Sequence, residues 1–246
     1  MRKKPEEIDK MRLAGKVVAE IHEQIRAAIK PGVSTLDLDK ISRDVIERRG
    51  ARSNFLGYNG FPATICASPN DMIVHGIPDG YVLKEGDIIS VDCGAIIDGW
   101  HGDAAFTVGV GEVSPVAAEL MRVTEESLWA GVKQMIDGNR IGDIGNAVQG
   151  IAETAGFSVV KEYVGHAIGR AMHEEPQVPN YGAAGTGPKL RTGMVFAVEP
   201  MVNEGSADTK VLRDGWSVVT ADGRLSAHFE HTIAITEDGP EVLTIA

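Results

Sequence analysis

Apolar positions in the first thirty residues follow a helical beat. Met11, Ala14, Val18, Ile21, Ile25 and Ala28 recur at steps of three and four, lining one stripe of a helix from about residue 6 to 29. Pro31-Gly32 stops it. Ser34 is placed to cap the next helix, with Asp37 in the acidic position of a capping box. That helix carries Leu38, Ile41, Val45 and Ile46 and ends at Gly50. Residues 51–81 are rich in Gly, Pro and Asn and read as long loops with short strands. Strand sequence follows: Ile88–Ile97 and Ala104–Val110 flank Asp98-Gly99-Trp100-His101-Gly102, whose glycines suit a turn. Ser114 and Pro115 open a third helix with Leu120, Val123, Leu128, Val132 and Met135, and a fourth runs from about 143 to 155.

The order helix, helix, strands occurs twice. Gly32, Asp37, Leu38, Glu47 and Gly50 match Gly138, Asp143, Ile144, Glu153 and Gly156 at an offset of 106. Leu83–Asp92 matches Leu190–Glu199 at an offset of 107. Gly and Leu are common, so coincidence between two amphipathic stretches is the alternative. The near-constant offset across helix and strand favours duplication. Two such halves, about 10–110 and 114–240, would share one curved sheet with helices on one face, an α+β domain over 1–246 with an internal pseudo-twofold.

Composition narrows the class. At 246 residues a substantial core can form without staples, and two cysteines allow at most one bridge, so free thiols in a reducing compartment are expected. The basic opening is followed by Pro5-Glu6-Glu7 where a signal peptide needs an apolar stretch, and no run approaches the roughly 20 apolar residues of a membrane span. A cytoplasmic location is expected. The net charge of -11 disfavours a nucleic-acid footprint.

The acidic excess also has a positional meaning. Duplication sets Asp92 against Glu199, each ending an apolar strand. A lone carboxylate there carries a large desolvation penalty and needs partners or cations. Asp103 and Glu230 lie on the strands that follow, and a hairpin near Gly99 would bring Asp92 and Asp103 together. Taken singly, Asp103 also fits a turn former and Glu230 a cross-strand partner for lysine. Jointly, with one carboxylate expected at each equivalent place of both halves, the four call for hard, oxygen-ligated divalent ions. His166 between glycines, His173 and His75 add candidate imidazoles, each of which alone fits a structural or exposed role.

From about residue 6 onward, the chain resembles bacterial-type methionine aminopeptidases of the pita-bread fold. The resemblance rests on Asn70–Pro78, Asp98–Asp103, Gly165–Arg170, His173–Pro176, Glu199–Met201 and Glu230–Thr232. It implies five metal ligands, Asp92, Asp103, His166, Glu199 and Glu230, around two divalent ions (Fe²⁺, Mn²⁺, Co²⁺ or Zn²⁺). It implies that His75 and His173 are catalytic without binding metal, with Glu199 as general base. It also implies a methionine pocket drawing on Tyr58, Phe61, Cys66, His75 and Trp216. Phe61 stands where close relatives often have tyrosine, and Cys66 near the pocket suggests thiol-reactive inhibition. For Trp216 the alternative is an anchor packing a loop against the sheet.

The implied reaction removes the initiator methionine from nascent polypeptide N-termini with a small second residue, close to the ribosome. The sequence does not settle the oligomeric state; a monomer is the preferred reading. Only 30 residues separate Glu199 from Glu230, too few for the helical insertion of the eukaryotic-like class. The chain is also expected to lack an N-terminal cysteine- and histidine-rich extension and the separate domain of prolidase-like relatives. Two rivals remain: an aminopeptidase acting before proline or on another first residue, and a peptide-binding or ribosome-associated module without turnover.

Overall fold

A computed structural model describes residues 2–245; Met1 and Ala246, the ends of the expected domain, lie outside the described residues. Helix α1 (Pro5–Ala28) begins with proline at its first turn, and Glu7 accepts from the Lys4 N–H at 2.8 Å. Helix α2 (Thr35–Arg48) starts with the expected box: Ser34 Oγ accepts from the Asp37 N–H, and Asp37 accepts from the Ser34 N–H. Three short strands follow, β1 (Arg52–Ser53), β2 (Ile65–Pro69) and β3 (Met72–Val74), then the long hairpin β4 (Ile88–Ile97) and β5 (Trp100–Gly109). Helices α3 (Pro115–Val132) and α4 (Ile141–Thr154) come next. The remainder is β6 (Ser158–Val159), β7 (Gly165–Ala167), β8 (Glu174–Val178), β9 (Val195–Val198), β10 (Met201–Asn203), β11 (Thr209–Val211), β12 (Val218–Thr220), β13 (Ser226–His228), β14 (His231–Thr236) and β15 (Gly239–Val242).

Two departures from the sequence pattern matter. The hairpin turn is only Asp98-Gly99, with φ of 50° and 76°, so β5 begins four residues before Ala104. Two consecutive left-handed residues match the right-handed twist of the strands, and Asp-Gly tolerates them. Asp103 therefore lies inside a strand and is not a turn former. The apolar run Ala227–Ile235 is not one strand either: it breaks at Phe229-Glu230, between β13 and β14.

Strand β5 pairs with β4, whose other edge takes β1 and β2; the second large sheet runs β15-β14-β9-β7-β8. One apolar cluster joins all four helices to both sheets. It contains Val18, Ile21 and Ile25 of α1, Leu38 and Val45 of α2, Leu128 of α3, Ile144 of α4, and sheet residues Val91, Cys93, Ala104, Phe106, Ala167, Phe196, Val198 and Ile233. Side chains alternate across a strand. If Val91 and Cys93, Ala104, Ala167, Val198 and Ile233 face the helices, then Asp92, Asp103, His166, Glu199 and Thr232 face the opposite side. Helix α1 reaches β5 through glycine: a Cβ on Gly102 would lie 2.9 Å from Gly15 N, so the helix rests directly behind Asp103.

The two halves meet in a reciprocal pair. Ala105 and Glu230 exchange both backbone hydrogen bonds, at 3.2 and 2.9 Å. Asp92 opposes Ala105, and the β9–β14 register, carried one residue beyond Val198↔His231, sets Glu199 opposite Glu230. Similarly Gly94 opposes Asp103 and Met201 opposes His228. Offsets of 107 (201 − 94) and 125 (228 − 103) thus superpose the pairings. Glu230 corresponds to Ala105, and Asp103 corresponds to His228. The expectation of a carboxylate at every equivalent place is corrected: Asp92 and Glu199 correspond, whereas Asp103 and Glu230 do not.

Candidate metal centre and active site

The five candidate ligands reach one place from five segments. Asp92 comes from β4, Asp103 from β5, His166 from β7, Glu199 from the end of β9, and Glu230 from the break between β13 and β14. Atoms of Asp103, His166 and Glu230 lie within 4.8 Å of one another, and His166 Nε2 is 3.5 Å from Glu199 Oε1. His166 Nδ1 is 3.1 Å from the Ala167 carbonyl, which can only accept, so Nδ1 carries the proton and Nε2 keeps its lone pair for the cavity.

The carboxylates are poorly satisfied as they stand. Asp92 Oδ1, Asp103 Oδ1 and Glu230 Oε1 are buried without a hydrogen-bond partner among the described residues. Burial pushes Asp92 up to about 8. Asp103 is pushed well above its ordinary range by burial, then by Asp92 and Glu199; Glu230 is raised by burial, then by Asp103, Glu199 and Asp92. Burial and Asp92 raise Glu199 likewise. Among the described residues, no lysine or arginine lines the cavity. Orphaned oxygens, mutual repulsion and absent ammonium or guanidinium groups are what divalent cations would relieve. The donor set fits them.

A cavity of about 340 Å³ opens over this cluster, within the range of small-ligand sites. All eleven residues picked out in the sequence line it: Tyr58, Phe61, Cys66, His75, Asp92, Asp103, His166, His173, Glu199, Trp216 and Glu230. Phe61 packs edge-on to Trp216 at 5.1 Å, within an apolar group that includes Phe55, Ala63, Cys66 and Met172. Trp216 is held by a turn in which Asp214 Oδ1 accepts from the N–H groups of Trp216 and Ser217. It is both pocket wall and loop anchor. His75 sits between Tyr163 and Trp216, with rings at 5.5 and 6.4 Å; burial, then His173, lowers it to about 4.

His173 lies at the rim in a loop that Glu174 braces. Glu174 Oε1 accepts from the Arg170 and Ala171 N–H groups, and Oε2 pairs with Lys3 Nζ at 2.7 Å. Its Nδ1 meets Tyr58 Oη at 2.8 Å, so Tyr58 does more than line a pocket. Cys66 is correctly placed, but its thiol is held neutral: burial raises it well above 9, and the neighbouring acids push the same way. Both effects work against thiolate formation at this position.

The sequence of residues 9–237 matches metallopeptidase family M24. The chain is 51% identical to a methionine aminopeptidase of Clostridium perfringens, covering 99% of this chain and 98% of that protein. It is 52% identical to methionine aminopeptidase 1 of Bacillus subtilis, covering 98% of each. The crystal structure of methionine aminopeptidase from Thermotoga maritima superposes with a TM-score of 0.99 at 46% identity, covering 100% of this chain and 99% of that one. The chain belongs to metallopeptidase family M24, among the methionine aminopeptidases.

As a metallopeptidase of this family it is a metal-dependent hydrolase that binds divalent cations, and its fold is the pita-bread arrangement. Several cavity residues carry no mark in the sequence pattern, and His228 is the one with chemistry beside the ligands. His228, at the end of β13, is buried, its Nε2 lacks a hydrogen-bond partner among the described residues, and that atom lies 3.9 Å from Glu199 Oε2. Burial, then His75, lowers it to about 3. Extending the duplication past Glu199 at the second offset would have set His228 against Asp103 and exposed it. Phe55, Met172 and Met201 also line the cavity, with only apolar character to mark them. No helix among the described residues is long and apolar enough to cross a membrane.

Proposed function

We propose that this chain removes the initiator methionine from nascent polypeptide N-termini bearing a small second residue. In this reading it works as a cytoplasmic monomer near the ribosome, with two divalent ions held by Asp92, Asp103, His166, Glu199 and Glu230. The carrying observation is one cavity with an acidic end of orphaned carboxylate oxygens and an apolar end of Phe61, Cys66 and Trp216. The ligand set accepts Fe²⁺, Mn²⁺, Co²⁺ or Zn²⁺, and cellular supply selects among them.

The chemistry such ions supply when bound is a water acidified toward neutral pH and a polarised carbonyl. Glu199 is placed to take the proton of the attacking water, and it hands that proton to the departing amine. With the Tyr58 hydroxyl donating to His173 Nδ1, His173 presents Nε2–H toward the oxygen of the scissile carbonyl. His75, beside Trp216, faces the amide nitrogen of the same bond. The thioether and methylenes of methionine fill the aromatic end, where burial of apolar surface favours them.

The test pairs metal analysis of protein purified without oxygen or added ions with product analysis on Met-Ala-Ser, Ala-Pro and a Met-X series in which X is Gly, Ala, Ser, Leu, Glu or Arg. Release of methionine from Met-Ala-Ser but not of alanine from Ala-Pro, falling steeply for the large X, is expected. Equal cleavage across X would remove the small-residue claim. Binding without cleavage in the presence of Mn²⁺, Co²⁺ or Fe²⁺ would return the chain to a peptide-binding role.

A further inference from the structure

Glu199 stands between two imidazoles: His166 Nε2 is 3.5 Å from Oε1, and His228 Nε2 is 3.9 Å from Oε2. The two histidines differ in what they offer. His166 gives its Nδ1 proton to the Ala167 carbonyl, leaving a bare Nε2 beside Oε1. His228 points Nε2 at Oε2, an atom that in the carboxylate form only accepts, so a favourable contact there requires the proton on Nε2. His228 is only 1% exposed, and no water-facing alternative is open to that nitrogen. Its main chain is fixed at both ends of the peptide: the N–H donates to Thr107 Oγ1 at 2.9 Å and the carbonyl accepts from it at 2.8 Å.

We propose that His228 is a positioning residue for Glu199. Its Nε2–H, 3.9 Å from Oε2 and so just outside hydrogen-bond distance, closes onto Oε2 when the carboxylate takes up a divalent ion, which holds Oε1 toward His166 as the oxygen presented to that ion and leaves Oε2 as the one free to take a proton. The proposal rests on the reading of His166 and Glu199 as ligands. A carboxylate ligand held by an outer hydrogen bond keeps its orientation on the ion, and removing such partners costs about 10–100-fold in metal affinity or activity. A histidine kept only to fill space would need no proton on a particular nitrogen.

Calorimetric titration of Mn²⁺ into metal-free protein reads this directly, alongside ¹⁵N-histidine NMR of the tautomers. His228→Leu is expected to weaken Mn²⁺ binding by about 10–100-fold and to shift the visible spectrum of the Co²⁺-loaded protein. His228→Gln, which presents an N–H at similar reach, should restore most of the affinity and the spectrum. Wild-type His228 should show Nε2–H. Unchanged affinity and spectrum in His228→Leu, equal loss in Leu and Gln, or an Nδ1–H tautomer would each overturn the role. Where Leu does not fold, His228→Asn takes its place, its shorter amide falling short of Oε2. Because these readouts need no peptide, tight Mn²⁺ binding without methionine release would defeat the proposed function while leaving this role standing.

Discussion

Residues Asp103–Thr107 and His228–Thr232 occupy matching places in the two halves, and each is clamped by the other's threonine. Thr107 Oγ1 accepts from the His228 N–H and donates to the His228 carbonyl; Thr232 Oγ1 does the same for Asp103, at 2.9 and 2.8 Å in both cases. The backbone frame is thus symmetric to within the detail of single hydrogen bonds. The side chains are not. One segment carries Asp then Ala at positions 103 and 105, the other His then Glu at 228 and 230. A move of two residues, about 6.6 Å along a strand, keeps a side chain on the same face, whereas a move of one would turn it into the helices. Duplicated strands can therefore trade an acid along their length without losing the cavity. The result is an uneven centre, to which the first half brings Asp92 and Asp103 and the second brings Glu199 between His166 and His228, together with Glu230.

The largest expected effect comes from removing an acid whose counterpart in the other half is not an acid. Asp103→Asn keeps size and the Thr232 clamp but deletes a charge. Loss of bound metal and a fall in turnover of about 10³-fold are expected, corresponding to several kcal/mol of charge stabilisation. Glu230→Gln should fall comparably. Metal analysis beside steady-state kinetics checks both. Full metal content with activity within tenfold in Asp103→Asn would show that the unevenness carries no function.

How much of this was legible beforehand depended on distance along the chain. The helices were readable because period and caps are local: Ser34 with Asp37, and Ser114 whose Oγ accepts from Ala117 N–H, announce their own starts. The pairing of Asp92 with Glu199 survived as a single offset through two apolar strands. Past Glu199 the offset changes from 107 to 125, because the connection from β10 to β13 holds β11 and β12, which the first half lacks. The Asp103–His228 correspondence therefore stayed hidden, and the acids seemed to match when they do not. Tyr58's bond to His173, across 115 residues, had no local signal at all. The turn is three residues shorter than the glycine pattern suggests, because Gly102 resembles turn chemistry. Its small size in fact serves the approach of α1, a contact only the folded chain reveals.

The threonine clamps sharpen the comparison next. Val for Thr keeps the shape and strips the hydroxyl, leaving one buried N–H and one C=O short of a partner, at about 1–3 kcal/mol. For a chain of this size that is about 2–4 °C in melting temperature per kcal/mol. Thr107→Val and Thr232→Val should lower the melting point of the metal-free protein alike. They should part company on metal: Thr232→Val loosens Asp103 and weakens Mn²⁺ binding directly, while Thr107→Val reaches the centre only through His228. Scanning calorimetry with and without Mn²⁺ separates the two. A direct-ligand loss in Thr107→Val as large as in Thr232→Val would mean the halves are equivalent after all.

The smallest effect tests whether the acidic end dominates the metal-free protein. Asp92 is raised to about 8 from an ordinary 3.8, so the folded state binds a proton that the unfolded state has released. Stability from this source is fully present below about pH 4 and is lost as pH rises toward 8. The buried imidazoles run the other way: His166 at about 4 and His228 at about 3 contribute above their unfolded value near 6.5 and fail as pH drops toward 4. Between pH 6.5 and 8 the unfolded imidazoles shed the part of a proton they still hold near 6.5, but the four raised carboxylates of the folded state lose more, which leaves the carboxylates in control. Metal-free protein should lose on the order of 1 kcal/mol there, about 3 °C. Saturating Mn²⁺ should reverse the slope, since ligand deprotonation favours binding as pH rises. A melting point of metal-free protein that climbs from pH 6.5 to 8 would place control with the histidines instead, because only groups held neutral as bases gain in that direction.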